Sequence, residues 1–151
     1  KHNTESTDRE QMTLVAIFEY MIGNTDWAVP IFHNIKLIKK LDSISSPIPY
    51  VVPYDFDYSG LVDTYYAIPG DNLGITSVRE RYYLGLCRED EAMIAAIEHI
   101  EQYREEILQL IGDFGYLDPN YKKDAIHYIQ EYFKLAADHQ TLIFYLDRTC
   151  I

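Results

Sequence analysis

Positive charge is scarce in this sequence. Against 24 Asp and Glu, the 151 residues hold 13 Lys and Arg, a formal net charge of −11. A chain so poor in cations does not readily assemble the basic face that phosphate backbones require, so no nucleic-acid partner is expected. Cysteine is nearly absent too. Cys87 and Cys150 make no metal-ligand spacing and no disulfide framework, and are expected to be reduced thiols or one ordinary bridge. No run approaches the ~20 apolar residues needed to cross a bilayer. No transmembrane segment is expected, and the chain reads as soluble with its compartment open. The first residues, Lys-His-Asn-Thr-Glu, contain neither a Met nor a signal-peptide pattern, so the chain is expected to be cut from something longer.

What is present suffices for a core. The apolar fraction is 48%, too high for a disordered acidic tail. The length fits one domain. Residues 1–7 are polar and read as a flexible N-terminal segment, with 8–151 as a single domain. From Asp8, Leu14, Val15, Ile17, Phe18, Met21 and Ile22 recur at helical spacing, with Thr7 or Asp8 to cap the start and Gly23 to end it. Asn34 to Lys39 alternates as a strand, Ser43 to Pro47 is turn-rich, and Ile48 to Pro53 is a second β-like run. Together they predict a hairpin. Asp55 to Thr76 is long and irregular. Such segments are uncommon inside compact domains and are often functional. Ser77-Val78-Arg79-Glu80 is a capping box that predicts a helix to about Cys87. An apolar stripe from Met93 to Ile111, closed by Gly112, predicts another helix. A last one begins at Asp118-Pro119 and continues towards Leu146. The expected fold is mainly α (α+β): a helical domain with one small two-stranded hairpin in its first third.

Residues able to do chemistry gather between Gly23 and Gly60. The hairpin can bring the loop after the first helix and the exit of the second strand to one end. Asp26, Asn34 and Asp55 or Asp57 would then converge. Two carboxylates and an amide oxygen are hard ligands of the kind that hold Mg²⁺ beside phosphate. An ionised Asp nearby can accept a proton from an attacking hydroxyl.

That order, in Gly23-Asn24-Thr25-Asp26-Trp27 … His33-Asn34 … Pro53-Tyr54-Asp55-Phe56-Asp57-Tyr58-Ser59-Gly60, resembles the catalytic half of a protein-kinase-like C-lobe. It is similar to the atypical branch represented by the spore-coat kinase CotH and, more distantly, by the HipA toxin kinases and lipid kinases. The resemblance covers roughly residues 8–60. It implies an ATP-dependent phosphotransferase in which Asp26 is the catalytic base or orients the acceptor. Asn34 and Asp55, or Asp57, would hold Mg²⁺ and with it ATP, and Phe56 would pack behind them. By the resemblance Asp55 is slightly preferred to Asp57. The pattern departs from the family in three respects. The Asp26-to-Asn34 spacing is longer than in ordinary protein kinases, no His-Arg-Asp precedes the catalytic position, and no glycine-rich loop or strand lysine supplies an N-lobe. The expected partner is therefore the remainder of a longer parent chain, without which this part would be inactive.

Other readings stand beside that one. Asp55-x-Asp57-x-Ser59-Gly60 matches the first half of a calcium loop, with Asp63 at position 9, but position 12 is Tyr66, which cannot supply the bidentate carboxylate. Asp-rich turns also bond their own backbone, and the chain then reads as a non-catalytic helical interaction domain. Fourteen tyrosines, among them Tyr50, Tyr54, Tyr58, Tyr65 and Tyr66 around the candidate site, suit core edges and a protein-partner surface alike. His33 reads first as one ordinary hydrogen bond, and otherwise as an orienter of a carboxylate. Arg79 and Arg81 are expected to pair with carboxylates.

Overall fold

The computed structural model describes residues 3–39 and 48–151. Among them are five α-helices and one two-stranded antiparallel sheet, so the domain is mainly helical with a single hairpin. Near the start, Thr4–Ser6 form a one-turn 3-10 helix capped by Asn3. Helix α1, Arg9–Ile22, begins where the Asp8 carboxylate accepts from the Gln11 amide at 3.0 Å. It ends at Gly23, whose φ of 69° is the left-handed conformation that glycine adopts without a Cβ penalty. Its buried face carries Met12, Val15, Ala16, Ile17, Tyr20 and Met21.

Strands β1, Ile35–Ile38, and β2, Tyr50–Pro53, pair from Ile35 opposite Pro53 to Ile38 opposite Tyr50. The turn expected at Ser43 to Pro47 lies outside the described residues. A side chain docks this hairpin on α1. The amide oxygen of Gln11 accepts from Val51 N–H at 2.9 Å, and its NH₂ donates to Val51 C=O. Both outward-facing backbone groups of β2 at that position are thereby satisfied.

Helices α2 (Asp90–Glu101), α3 (Arg104–Asp113), α4 (Pro119–Ala136) and α5 (His139–Asp147) complete the domain. The stripe from Met93 to Ile111 is two helices rather than one. Its first half packs on α1 and its second on α4, and the chain turns at Gln102–Tyr103 to serve both. The last stretch is also divided. Asp138 caps a fresh helix by accepting from Thr141 N–H at 3.2 Å and Thr141 Oγ1 at 2.8 Å.

The predicted helix from Ser77 to Cys87 does not form. Its capping-box residues close only a local turn, in which Glu80 accepts from the Thr76 and Ser77 amides at 2.9 and 3.2 Å. Beyond it the backbone is committed elsewhere. Tyr83 N–H donates to Thr149 Oγ1 and Tyr83 C=O accepts from the same hydroxyl. Gly85 C=O takes Ile151 N–H, and Cys87 N–H donates to Ile151 C=O. A backbone bonded to the C-terminal tail cannot also make helical i→i−4 bonds. Cys87 and Cys150 are joined by a disulfide, the second of the two states the sequence left open.

Arg81 pins this extended stretch. Its guanidinium lies 3.8 Å from the Tyr128 ring centroid and donates to Met21 C=O at 3.0 Å and Tyr128 C=O at 2.6 Å. It takes carbonyls where carboxylate partners were expected. Burial lowers its pKa from the usual guanidinium range. Arg81→Met keeps the stem but strands two carbonyls, and is expected to cost about 2 kcal/mol of stability, measured by urea unfolding.

Candidate functional site

Two chain segments meet at the C-terminal end of α1. The first is the loop from Gly23 to Asn34; the second leaves β2 at Tyr54. Backbone bonds join them: Gly60 N–H donates to Gly23 C=O at 3.0 Å, and Leu61 N–H to Ile22 C=O at 2.9 Å. This close approach requires glycine at 60, where a Cβ would strike Val78 C=O and the Tyr128 hydroxyl.

The first loop is built on a buried polar pair. Glu19 and Asn24 are each 1% exposed. Asn24 Nδ2 donates to Glu19 Oε2 at 2.9 Å, and Asn24 Oδ1 accepts from the Asp26 amide at 3.0 Å. Burial pushes the Glu19 carboxyl up to about 7, against a smaller opposing pull from Asn24. Neither residue stood out in the sequence. An acid inside an amphipathic helix reads as a surface residue, and only the Gly23-Asn24 step after the helix end hinted at a buried amide.

From Asp26 the chain turns back on itself. Ala28 and His33 exchange backbone bonds at 3.0 Å, and Phe32 and Asn34 take φ values of 57° and 50°. The turn delivers two side chains to the Asp26 carboxylate. His33 Nε2 lies 2.7 Å from Oδ1, and Asn34 Nδ2 donates to Oδ2 at 3.0 Å and to the Asp26 carbonyl at 2.8 Å. Asp26 and Asn34, predicted to converge, are in direct contact, and His33 makes a side-chain hydrogen bond to that same carboxylate. With its NH₂ spent on Asp26, Asn34 keeps its amide oxygen as the available ligand atom.

The second segment is placed by the sheet. Tyr54 N–H donates to Asn34 C=O at 3.0 Å, so Asp55 emerges one residue beyond the partner of Asn34. Asp55 takes a φ of 63°. Left-handed backbone at non-glycine residues is uncommon and concentrates at functional sites. Of the four such residues described, Phe32, Asn34, Asp55 and Asp63, two are predicted ligands. Asp55 is exposed, and the neighbouring Asp57 charge holds its carboxyl above the usual range. Desolvation, a hydrogen bond with Asp57 and the Asp26 charge add to this, while His33 opposes it. Asp57 is engaged differently: it accepts from the Tyr66 hydroxyl at 2.9 Å, while its carbonyl takes Thr64 Oγ1 at 3.0 Å. Phe56 turns to the core and meets Phe18 of α1 edge-on, with centroids 5.7 Å apart.

Asp26 lines a cavity of about 290 Å³ together with Thr25, Tyr58, Asn72 and Leu73. The irregular segment after Gly60 forms its far wall. Among the described residues no three His, Cys, Asp or Glu side chains form a metal cage by themselves. The donor set is instead hard and incomplete: the Asn34 amide oxygen and the Asp55 and Asp57 carboxylates. That set fits Mg²⁺, which keeps waters and substrate phosphates in its remaining positions. It fits a calcium loop less well, because Tyr66 stands where the bidentate carboxylate would be and Ser59 is fully buried.

No protein-family model, curated protein or solved structure matches this chain.

Proposed function

We propose that this chain is the C-terminal part of an atypical kinase-like phosphotransferase using Mg-ATP, completed by an N-lobe from the remainder of a longer parent chain. What supports the reading is the contact of Asn34 with Asp26, with Asp55 one residue beyond the strand partner of Asn34 and within reach of the Asp26 charge. Two of the three adopt left-handed backbone, which Asn and Asp accept more readily than other non-glycine residues.

Asp26 is the group that would accept or orient the acceptor hydroxyl's proton. His33 and Asn34 fix its carboxylate, which sets the direction in which a lone pair is presented. Asn34 and Asp55 would hold Mg²⁺, with Asp57 beside them, and Mg²⁺ when bound would neutralise phosphate charge. Mutual repulsion between Asp55 and Asp57 is the condition that a cation relieves.

The test has two parts. Mn²⁺ titration of this chain, followed by water-proton relaxation, is expected to give one site, weakened about tenfold or more by Asp55→Asn. In the full-length parent, Asp26→Asn is expected to keep Mn²⁺ binding and thermal stability while reducing transfer from labelled ATP by about a hundredfold or more. A full-length parent that neither binds Mg-ATP nor transfers phosphate would sink the proposal. The domain would then be a non-catalytic interaction module whose Asp-rich turns are structural.

A further inference from the structure

On the far side of the Gly60 crossing, an open groove of about 730 Å³ runs between the segment after Gly60 and helices α3 and α4. Leu61, Ile111, Leu117 and Ala125 form its recessed part. Leu110, Phe114 and Tyr121 stand at its lips, 73%, 53% and 66% exposed. Tyr116, 96% exposed, lies between the two helices and extends the patch. Large apolar side chains gathered in this way, rather than scattered singly, mark interaction surfaces.

The charges around the groove say what fits it. Asp63 and Asp124 line it. Arg79, the one cation among the described residues that lines it, is already committed. Its guanidinium bonds Asp124 at 2.8 and 3.2 Å and Gly60 C=O at 3.0 Å, and sits 4.3 Å from the Tyr128 ring centroid. Asp63 is exposed, in left-handed backbone with a φ of 51°, and no described cation forms an ion pair with it. Asp113 follows Leu110 by three residues on α3 and so shares its face, and Asp118 caps α4 beside Leu117. Lys122 and Lys123 do not compensate. At about 100° per residue they turn away from the face that Tyr121, Asp124 and Ala125 present.

We propose that this groove binds a basic peptide segment of another protein, with one or two bulky apolar side chains seated between Lys or Arg residues. The apolar anchor would fill the recess while the flanking cations meet Asp63, Asp113 and Asp118. A second copy of the chain is disfavoured by its own charge of −11, and an anionic lipid surface by the acidic rim. The inference does not depend on the phosphotransferase reading, because it concerns binding at a separate face.

The test is selection of random dodecapeptides on the immobilised chain, followed by fluorescence anisotropy with the winning peptide and its charge-reversed version. Enrichment of Lys or Arg beside Leu, Phe or Trp is expected. Asp63→Asn, which keeps a residue suited to left-handed backbone, and Leu110→Asp, both at exposed positions, should each weaken binding severalfold or more without moving the melting temperature. Selection of acidic or neutral sequences, equal binding of the charge-reversed peptide, affinity untouched by both substitutions, or no selection at all would overturn the proposal. Concentration-dependent dimerisation abolished by Leu110→Asp would overturn it in favour of a second copy.

Discussion

Cutting the Cys87–Cys150 bridge, by reduction or by Cys150→Ser, is expected to lower the unfolding free energy by about 4 kcal/mol. The bridge spans 63 positions of sequence, and all of α2 to α5 lies inside the loop it closes. The loss comes chiefly from the unfolded chain, which gains conformations once the loop is open. The folded side contributes less, because the tail stays clipped by Ile151 N–H to Gly85 C=O at 3.0 Å and by the Thr149 hydroxyl on Tyr83. Urea unfolding with and without dithiothreitol measures the difference. The reduced wild type and the Cys150→Ser variant should share one midpoint, well below that of the oxidised protein. Coincident midpoints for oxidised and reduced protein would mean that the bridge contributes no net stability.

How far the sequence foretold the molecule depended on whether a signal was local. Helix α1 was legible because its cap, its apolar spacing and its terminal glycine agree. The hairpin was legible from alternation between turn residues. The failure at Ser77–Glu80 is instructive: the capping box was real and made its bonds, but the residues after it found partners some 66 positions away at Thr149. No local pattern announces such a pairing. The breaks at Gln102 and Asp138 failed for a related reason, since an unbroken apolar stripe does not reveal that its halves face different helices. Within the candidate site, the order Asp26, Asn34, Asp55 was readable, as was the meeting of Asp26 and Asn34. The left-handed backbone at Asn34 and Asp55, the clamp of Tyr66 on Asp57 and the buried pair beneath Asp26 were not. Each depends on what packs around the residue rather than on its neighbours in sequence.

That buried pair has the clearest pH signature in the molecule. Glu19 is 1% exposed, one of its oxygens has no hydrogen-bond partner among the described residues, and its carboxyl titrates near 7 instead of near 4.5. In the interval between those values the folded chain holds a proton that the unfolded chain has released. The contribution of Glu19 is therefore fully present below about pH 4.5 and lost as pH rises through 7. A shift of that size corresponds to a loss of about 3 kcal/mol. Glu80, Glu89 and Asp138, whose carboxyls are held below their usual range, work in the opposite sense and act at lower pH. Glu19→Gln isolates the effect. Its amide oxygen can still accept from Asn24 Nδ2, so the link to the Asp26 amide survives while the buried charge does not. Unfolding free energies measured from pH 4 to 9 should show the wild type falling relative to Glu19→Gln between about pH 4.5 and 7 and levelling off above, with the variant the more stable at alkaline pH. Parallel curves would mean that Glu19 is ionised and solvated throughout. The same series bears on the site, because the Asn24 side chain that bonds Glu19 also accepts from the Asp26 amide, so the protonation of Glu19 is felt where Asp26 is positioned.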